Sequence, residues 1–385
     1  MGLLLRRARC RTDGGWSAPR DLRVERGLVR APAPPGTGDV EVDLEGRFLL
    51  PALVNAYDVL DLSTLPPLGA PPHASLYEWT AAAERDLARL APALAVPLAD
   101  RLFLGAMRNL LAGVGAVLHH HADHRSLSRE DFPVRVQRRY AFAHSPGLTP
   151  ALRRTYRTTD RRIPWIVRAG EGRDPGLRRE LDVLAAANVL RQNTVIAHGT
   201  ALAPEDAGRL AAARASVVWC PESDRHLYGR TAPVAALLAA GVKVGLGSDA
   251  PSAGARDALS NLAAARREGV LEEGALLDLA TRGSAAVARL TTGGFDEGSP
   301  ADLLAVDSVE ALLAGDRGAV ALLLVRGAVV YGEPRLVEAA GVPAGALCVD
   351  GARRALAGPL ARKMAGLLGR HRAAHGAAWL SGVTL

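Results

Sequence analysis

The chain has 385 residues, of which 49% are hydrophobic and 4% aromatic, and a formal charge of +7, so it can bury a large core. The basic charge is almost all arginine, with lysine only at Lys243 and Lys363; it is scattered rather than interleaved with aromatics, which argues against a nucleic-acid footprint and leaves room for an anionic small molecule. No run approaches the roughly 20 apolar residues of a membrane-spanning helix. Met1–Arg7 has too short an apolar stretch for a signal peptide. Cys10, Cys220 and Cys348 are odd in number and far apart; this gives no zinc-pair spacing and no disulfide framework, and fits a reducing, cytoplasmic compartment.

The first fifty residues read as short strands (Leu3–Ala8, Asp21–Val24, Leu28–Val29, Val40–Leu44) broken by Gly, Pro and Asp. From Phe48 the rhythm changes. Apolar runs at Leu49–Tyr57, Gly115–His119, Pro133–Phe142, Trp165–Arg168, Thr194–His198, Ser216–Cys220 and Val242–Gly247 alternate with alanine-rich helical stretches such as Leu98–Leu111, Gly176–Ala187, Pro204–Ala213 and Val234–Ala240. Buried strands alternating with helices predict βα units and a parallel sheet. Seven strands are clear, so an eighth is short, irregular or hidden. After Ala301 strands return at Asp302–Val306, Ala321–Val325, Ala328–Tyr331 and Ala346–Val349. The expected fold is α/β: a distorted (β/α)8 TIM-like barrel over 50–300, with a small β-sandwich domain built from both termini (1–49 and 301–350). Residues 351–385 are expected to form a basic helical tail with a loose end, the charges of Arg353–Arg372 lying on a solvated face.

Most barrel runs end in chemically active residue types: Tyr57-Asp58, His119-His120-His121, Arg168, His198 and Asp249. In a βα barrel the C-terminal strand ends build the active site. Alternation aims His119 and His121 alike and His120 oppositely. That cluster, continued by Asp123 and His124, reads more readily as a polar pocket wall than as a relocated metal site. His144 ends another run and is a candidate to touch substrate, or a turn residue satisfied by backbone. Asp58 and Asp61 are expected in loop or N-cap roles, and Cys220 as a small core residue.

Three stretches resemble the amidohydrolase superfamily, specifically its cytosine deaminase and chlorohydrolase-like branch: Gly46–Ala56 (GRFLLPALVNA), Ala280–Ala286 (ATRGSAA) and Gly298–Leu303 (GSPADL). The resemblance covers nearly the whole chain. It implies one metal held by an HxH pair on strand one, a histidine on each of strands five and six and an aspartate on strand eight, with a strand-five glutamate as proton shuttle. Imidazoles and a carboxylate suit zinc or iron with a position open for water, whose pKa falls to about 7 on the metal.

Carried over residue by residue, the match is partial. Glu171, His198 and Asp249 stand at family positions. The HxH positions hold Tyr57 and Val59, and the strand-five histidine position holds Arg168. No lysine lies on the middle strands, so a carboxylated-lysine binuclear site is unsupported. Valine cannot ligate, a phenol must first ionise, and a guanidinium repels a divalent ion. Arg168 is expected instead to take over the metal's charge by pairing bidentately with Asp249 or Glu171. Glu222 and Asp224 replace part of the family's Pro-x-Ser-Asn pattern and are expected to make the mouth more acidic.

Catalytic candidates are thus Glu171, His198 and Asp249; substrate-binding candidates are Tyr57, His119, His121, His144 and Arg168; residual metal donors are His198 and Asp249. No cofactor is expected, with zinc or iron the metal if the residual pair holds one. Three readings stay open: a catalytically diverged or inactive member of a metal-dependent C–N hydrolase and deaminase lineage kept for ligand binding or assembly; an active hydrolase or deaminase with an atypical metal site around His198 and Asp249; and a metal-free acid/base enzyme with Arg168 as electrophile. A small-molecule ligand or substrate is the expected partner, with no nucleic acid and no membrane, and a homodimer is compatible with the resemblance.

Overall fold

A computed structural model describes residues 2–385 except 32–35, 37, 87–89, 292 and 372–377. Its centre is a set of eight short parallel strands: β1 (Leu53–Asp58), β2 (Val114–His119), β3 (Arg135–Val136), β4 (Ala141–Ala143), β5 (Trp165–Ala169), β6 (Thr194–His198), β7 (Ser216–Trp219) and β8 (Lys243–Leu246). They form two hydrogen-bonded arcs, β1–β3 and β4–β8. A parallel bridge between Asp58 and Asp249 joins the end of β1 to the chain just beyond β8.

The eighth strand was hidden inside the run Pro133–Phe142. Arg138 and Arg139 are exposed, and Gln137 donates its side-chain amide to the carbonyls of Ala288 and Arg289. These polar residues lift the chain out of the sheet between β3 and β4. Alternation sorts the barrel residues into two cores. Val54, Ala56, Ala116, Leu118, Ile166, Val195, Ala197 and Val218 pack inside. Leu53, Val117, Val167, Ile196, Val217 and Val244 face outward into the larger core.

The chain ends meet in one twelve-stranded sheet. Leu303–Val306 runs antiparallel to Phe48–Pro51, which also pairs with Leu3–Thr12. The strand Leu3–Thr12 joins both leaves of the expected sandwich. Its first half pairs with Arg20–Glu25 and Val40–Asp43, and its second half with Phe48–Pro51. A register shift between Leu5 and Ala8 bends it, with Arg7 at a positive φ of 53°. Leu5, Leu22, Val24, Val42, Leu303, Leu322 and Leu324 fill the space between the leaves.

The tail departs from expectation in two places. Ala352–Ala357 is a strand, and the helix begins only at Gly358 and runs to Arg370. Beyond it the chain returns to the body: Trp379 is buried and donates its indole N–H to the Ser63 carbonyl, and Val383–Thr384 adds an edge strand. Arg372 and the neighbouring residues of that tail lie outside the described residues.

Helix α1 (Leu76–Asp86) crosses the barrel mouth, and α2 (Leu98–Leu111) packs on its side. A Cβ added at Gly105 of α2 would sit 2.2 Å from the Leu60 carbonyl oxygen, so only glycine allows this approach. Gly105→Ala is expected to cost about 1–3 kcal/mol through overpacking, read as a lower urea midpoint at unchanged slope.

Candidate functional site

The site lies at the C-terminal ends of the barrel strands. Arg168 on β5 continues the inward stripe begun by Ile166. Its Nε donates to Glu171 Oε2 at 2.6 Å and its Nη2 to Glu171 Oε1 at 2.5 Å. This is the expected bidentate pair, with Glu171 as the partner; Asp249 Oδ2 stands farther off, 3.9 Å from Arg168 Nη2. Tyr228 donates its hydroxyl to Glu171 Oε1 at 2.6 Å, and Trp79 of α1 presents its ring 5.2 Å from the guanidinium carbon. Burial opposes ionisation of Glu171, but Arg168 and His198 outweigh it and hold its pKa down at about 2.

His198 ends β6 and Asp249 follows β8. Both have left-handed backbone, with φ of 68° and 54°, a conformation that costs a non-glycine residue on the order of 1–3 kcal/mol. At His198 it breaks the alternation that Val195 and Ala197 would otherwise continue. His198 Nδ1 lies 2.8 Å from Asp224 Oδ1, and Nε2 lies 3.5 Å from Asp249 Oδ2. Neither Nε2 nor that Oδ2 has a hydrogen-bond partner among the described residues. Burial disfavours the imidazolium, yet the Glu171 charge and the Asp224 hydrogen bond raise the His198 pKa above its ordinary value.

Tyr57 is inward because the β1–β2 register shifts between Asn55 and Asp58. Its hydroxyl pairs at 2.8 Å with Nδ1 of His120, not of His119 or His121. His120 extends the inner stripe of Ala116 and Leu118, so parity counted from those two residues, not from the cluster itself, marks it as the site member. Burial pushes Tyr57 well above and His120 well below their ordinary pKa values; both are neutral at pH 7. His119 and His121 fall outside this constellation. His121 Nδ1 meets Asp61 at 2.9 Å, and His119 Nδ1 accepts the Leu60 N–H at 3.3 Å. Burial lowers the His119 pKa to about 4, so its 3.9 Å approach to Asp61 is not an ion pair at pH 7. His144 is half-buried, and its carbonyl accepts the Arg168 N–H. Its imidazole is held at about 4 by burial and the Arg168 charge.

Other expectations are corrected. Asp58 faces away from the mouth, but into a buried network and not a loop or N-cap: Arg108 of α2 donates to it at 2.7 Å, joined by Asn55 and Asn109. Arg108 also donates to the Asp249 carbonyl at 2.8 Å, so this network anchors the backbone that carries Asp249. Of the two acids in Pro221–Tyr228, only Asp224 reaches the site. Glu222 accepts from Ser260, and burial lifts its pKa to about 7. Cys220 is buried in the inner core beside Tyr57 and Val218.

The chain before and along α1 closes the mouth. Leu76 N–H donates to the Glu171 carbonyl, Leu68 N–H to that of Ser252 and His73 N–H to that of Leu227. Arg168 is 5% exposed, and Tyr57, Glu171, His198 and Asp249 are at most 2% exposed. The donors present do not fit a divalent ion. Val59 offers none, the Tyr57 phenol is un-ionised, and Arg168 places a fixed cation beside the two that remain, His198 Nε2 and Asp249 Oδ2. Among the described residues, no group of three His, Cys, Asp or Glu side chains is arranged to hold a metal.

The model of the Amidohydrolase family matches residues 165–336. Over 138 residues the chain is 36% identical to a 5-methylthioadenosine/S-adenosylhomocysteine deaminase of Halobacterium salinarum, covering 34% of this chain and 32% of the relative. A second such deaminase, of Archaeoglobus fulgidus, is 33% identical over 135 residues, 33% of this chain and 32% of the relative. The matches thus span about a third of the length of these curated relatives. The fold is that of an adenosine deaminase from Xanthomonas campestris with bound zinc (TM-score 0.70, 19% identity, 85% of this chain and 92% of the other). It is also that of a zinc-complexed atrazine chlorohydrolase from Arthrobacter aurescens TC1 (TM-score 0.67, 18% identity, 85% and 95%).

Arg168→Met and Glu171→Gln should each cost about 3–5 kcal/mol, because each strands a buried charge; the double variant should cost less than their sum in urea unfolding. The depressed Glu171 pKa sets the sign with pH. Its stabilisation is complete above the unfolded carboxylate value, near 4.5, and is lost as pH falls through about 2. Asp224→Asn should lower the His198 pKa, seen as an earlier imidazole titration by NMR.

Proposed function

We propose that the chain, whose residues 165–336 match the Amidohydrolase family, derives from metal-dependent hydrolases and deaminases of C–N bonds and has exchanged the metal centre for an internal ion network. Arg168 takes over the positive charge, Glu171 is consumed as its counter-ion, and His198 is tied between Asp224 and Asp249. The observation that carries this reading is the two-pronged Arg168–Glu171 contact. The residue in the family's proton-shuttle position is bound to a permanent cation, and the same cation occupies the place of a ligand. Metal-activated water is then not the protein's chemistry. The barrel is retained for binding a small molecule or for assembly with a partner.

A second reading rests on the two orphaned atoms. His198 Nε2 and Asp249 Oδ2 face each other at 3.5 Å and lack other partners among the described residues. If the chain over the mouth opens, they are placed to exchange a proton with a polar ligand, with Arg168 polarising it. Metal-free turnover that disappears in Arg168→Met would select this reading over a binding role.

Metal analysis of untagged protein purified without chelators tests the proposal. Zinc, iron and manganese should each be far below one equivalent. The Tyr57→His, Val59→His, Arg168→His triple variant should gain stoichiometric metal. One equivalent of metal in the unaltered protein, lost on Asp249→Asn, would overturn the proposal in favour of an atypical metallohydrolase.

A further inference from the structure

At the opposite end of the barrel, where β5, β6 and β7 begin, lies an open cavity of about 680 Å3. Arg153, Arg157, Arg161, Arg191 and Arg214 line it. A second cavity of about 400 Å3 adjoins it through Arg161, Gln192 and Arg214, and adds Arg162, Lys243 and Arg289. No acidic residue lines either cavity. Asp160, next to Arg161 in the chain, is engaged by the backbone N–H and guanidinium of Arg162. Among the described residues, Arg153, Arg157, Arg161 and Arg214 form no ion pair, and the guanidinium of Arg191 donates only to the neutral amide oxygen of Asn188.

The cations are set by the fold rather than by one flexible segment. Arg153 and Arg157 are one helical turn apart on the helix Leu152–Arg157 before β5. Arg191 lies in the connection before β6. Arg214 is the left-handed cap of the helix Asp206–Ala213 before β7. Arg289 donates to the carbonyls of Arg161 and Gln192 and so ties two of these connections together. Guanidinium groups gathered from three successive βα units, with no carboxylate among them, repel one another until an anion enters. Their planar forks match phosphate oxygens.

We propose that this groove is a binding site for a small oligophosphate, an anion carrying two or more linked phosphate groups. The size suits a small molecule, since such sites run from roughly 300 to 1,000 Å3. A stacked nucleic-acid strand is disfavoured. The cavity's aromatic residue, Tyr156, is only 9% exposed and its hydroxyl is held by Asn193, which leaves no open ring for a base. The site is independent of the barrel mouth and of its metal content.

Calorimetric titration of the full chain with inorganic triphosphate tests this. Saturable one-to-one binding is expected, weakening as salt rises. It should be at least about ten-fold weaker in Arg161→Gln/Arg214→Gln, because two charge-assisted contacts are lost. It should be unchanged in Arg267→Gln/Arg370→Gln, which removes the same charge from exposed positions elsewhere. Orthophosphate should bind at least about ten-fold more weakly than triphosphate, having one group to grip. Absence of saturable binding, equal losses in the two double variants, or equal affinity for orthophosphate would each overturn the proposal. So would Arg161- and Arg214-dependent binding of a single-stranded oligonucleotide more tightly than triphosphate.

Discussion

A permanent cation buried at the mouth of a barrel must be neutralised on the spot. A guanidinium cannot shed its proton, and in a region shielded from water an unmatched charge is too costly to keep. Arg168 meets this condition through Glu171, and much of the surrounding structure follows from that contact. Glu171 is held ionised and also accepts from Tyr228. Trp79 lies against the guanidinium, and the Glu171 carbonyl receives the Leu76 N–H, so α1 is drawn over the mouth. The pair orders the lid as well as the centre.

The same contact shapes its neighbours electrostatically. Arg168 and His198 face three acidic side chains, Glu171, Asp224 and Asp249. Asp224 is the departure that makes this balance workable: its bond to His198 Nδ1 favours the imidazolium, which then faces Asp249. On the outer side of β1, Arg108 and Asp58 form a second buried pair and grip the backbone at Asp249. The left-handed conformations of His198 and Asp249 are therefore held from two directions. Buried ion pairs of this kind add little net stability, but they oppose any rearrangement that would separate their members.

The proposed exchange of metal for guanidinium is a substitution of one local charge for another within the barrel frame. His198 at the end of β6 and Asp249 after β8 keep an imidazole and a carboxylate at the mouth, and the barrel around them has the fold of zinc-bound structures. A side-chain cation that is covalently part of β5 satisfies Glu171 permanently. The oligophosphate groove places a second charged feature at the far end of the same strands. There the imbalance is of opposite sign and open to solvent, so it is available to a ligand where the mouth is not.

The sequence by itself determined the alternation of buried strands and helices, the return of strands after Ala301, and the identity of the residues at the strand ends. These depend on local period and on chemistry that cannot change with context: valine offers no donor and arginine no neutral form. It also fixed the pairing of Arg168 with an acid, though not which acid. Tertiary structure alone decided the rest. A register shift in β1 turned Tyr57 inward, and strand parity then made His120 its partner while His121 went to Asp61 and His119 to the Leu60 N–H. Left-handed backbone at His198 aimed a side chain that simple alternation would have misdirected. Arginines spread over sixty residues became one groove because three βα units begin side by side. Each of these depends on register, backbone handedness or long-range neighbourhood, and none of those is encoded in the spacing of any single segment.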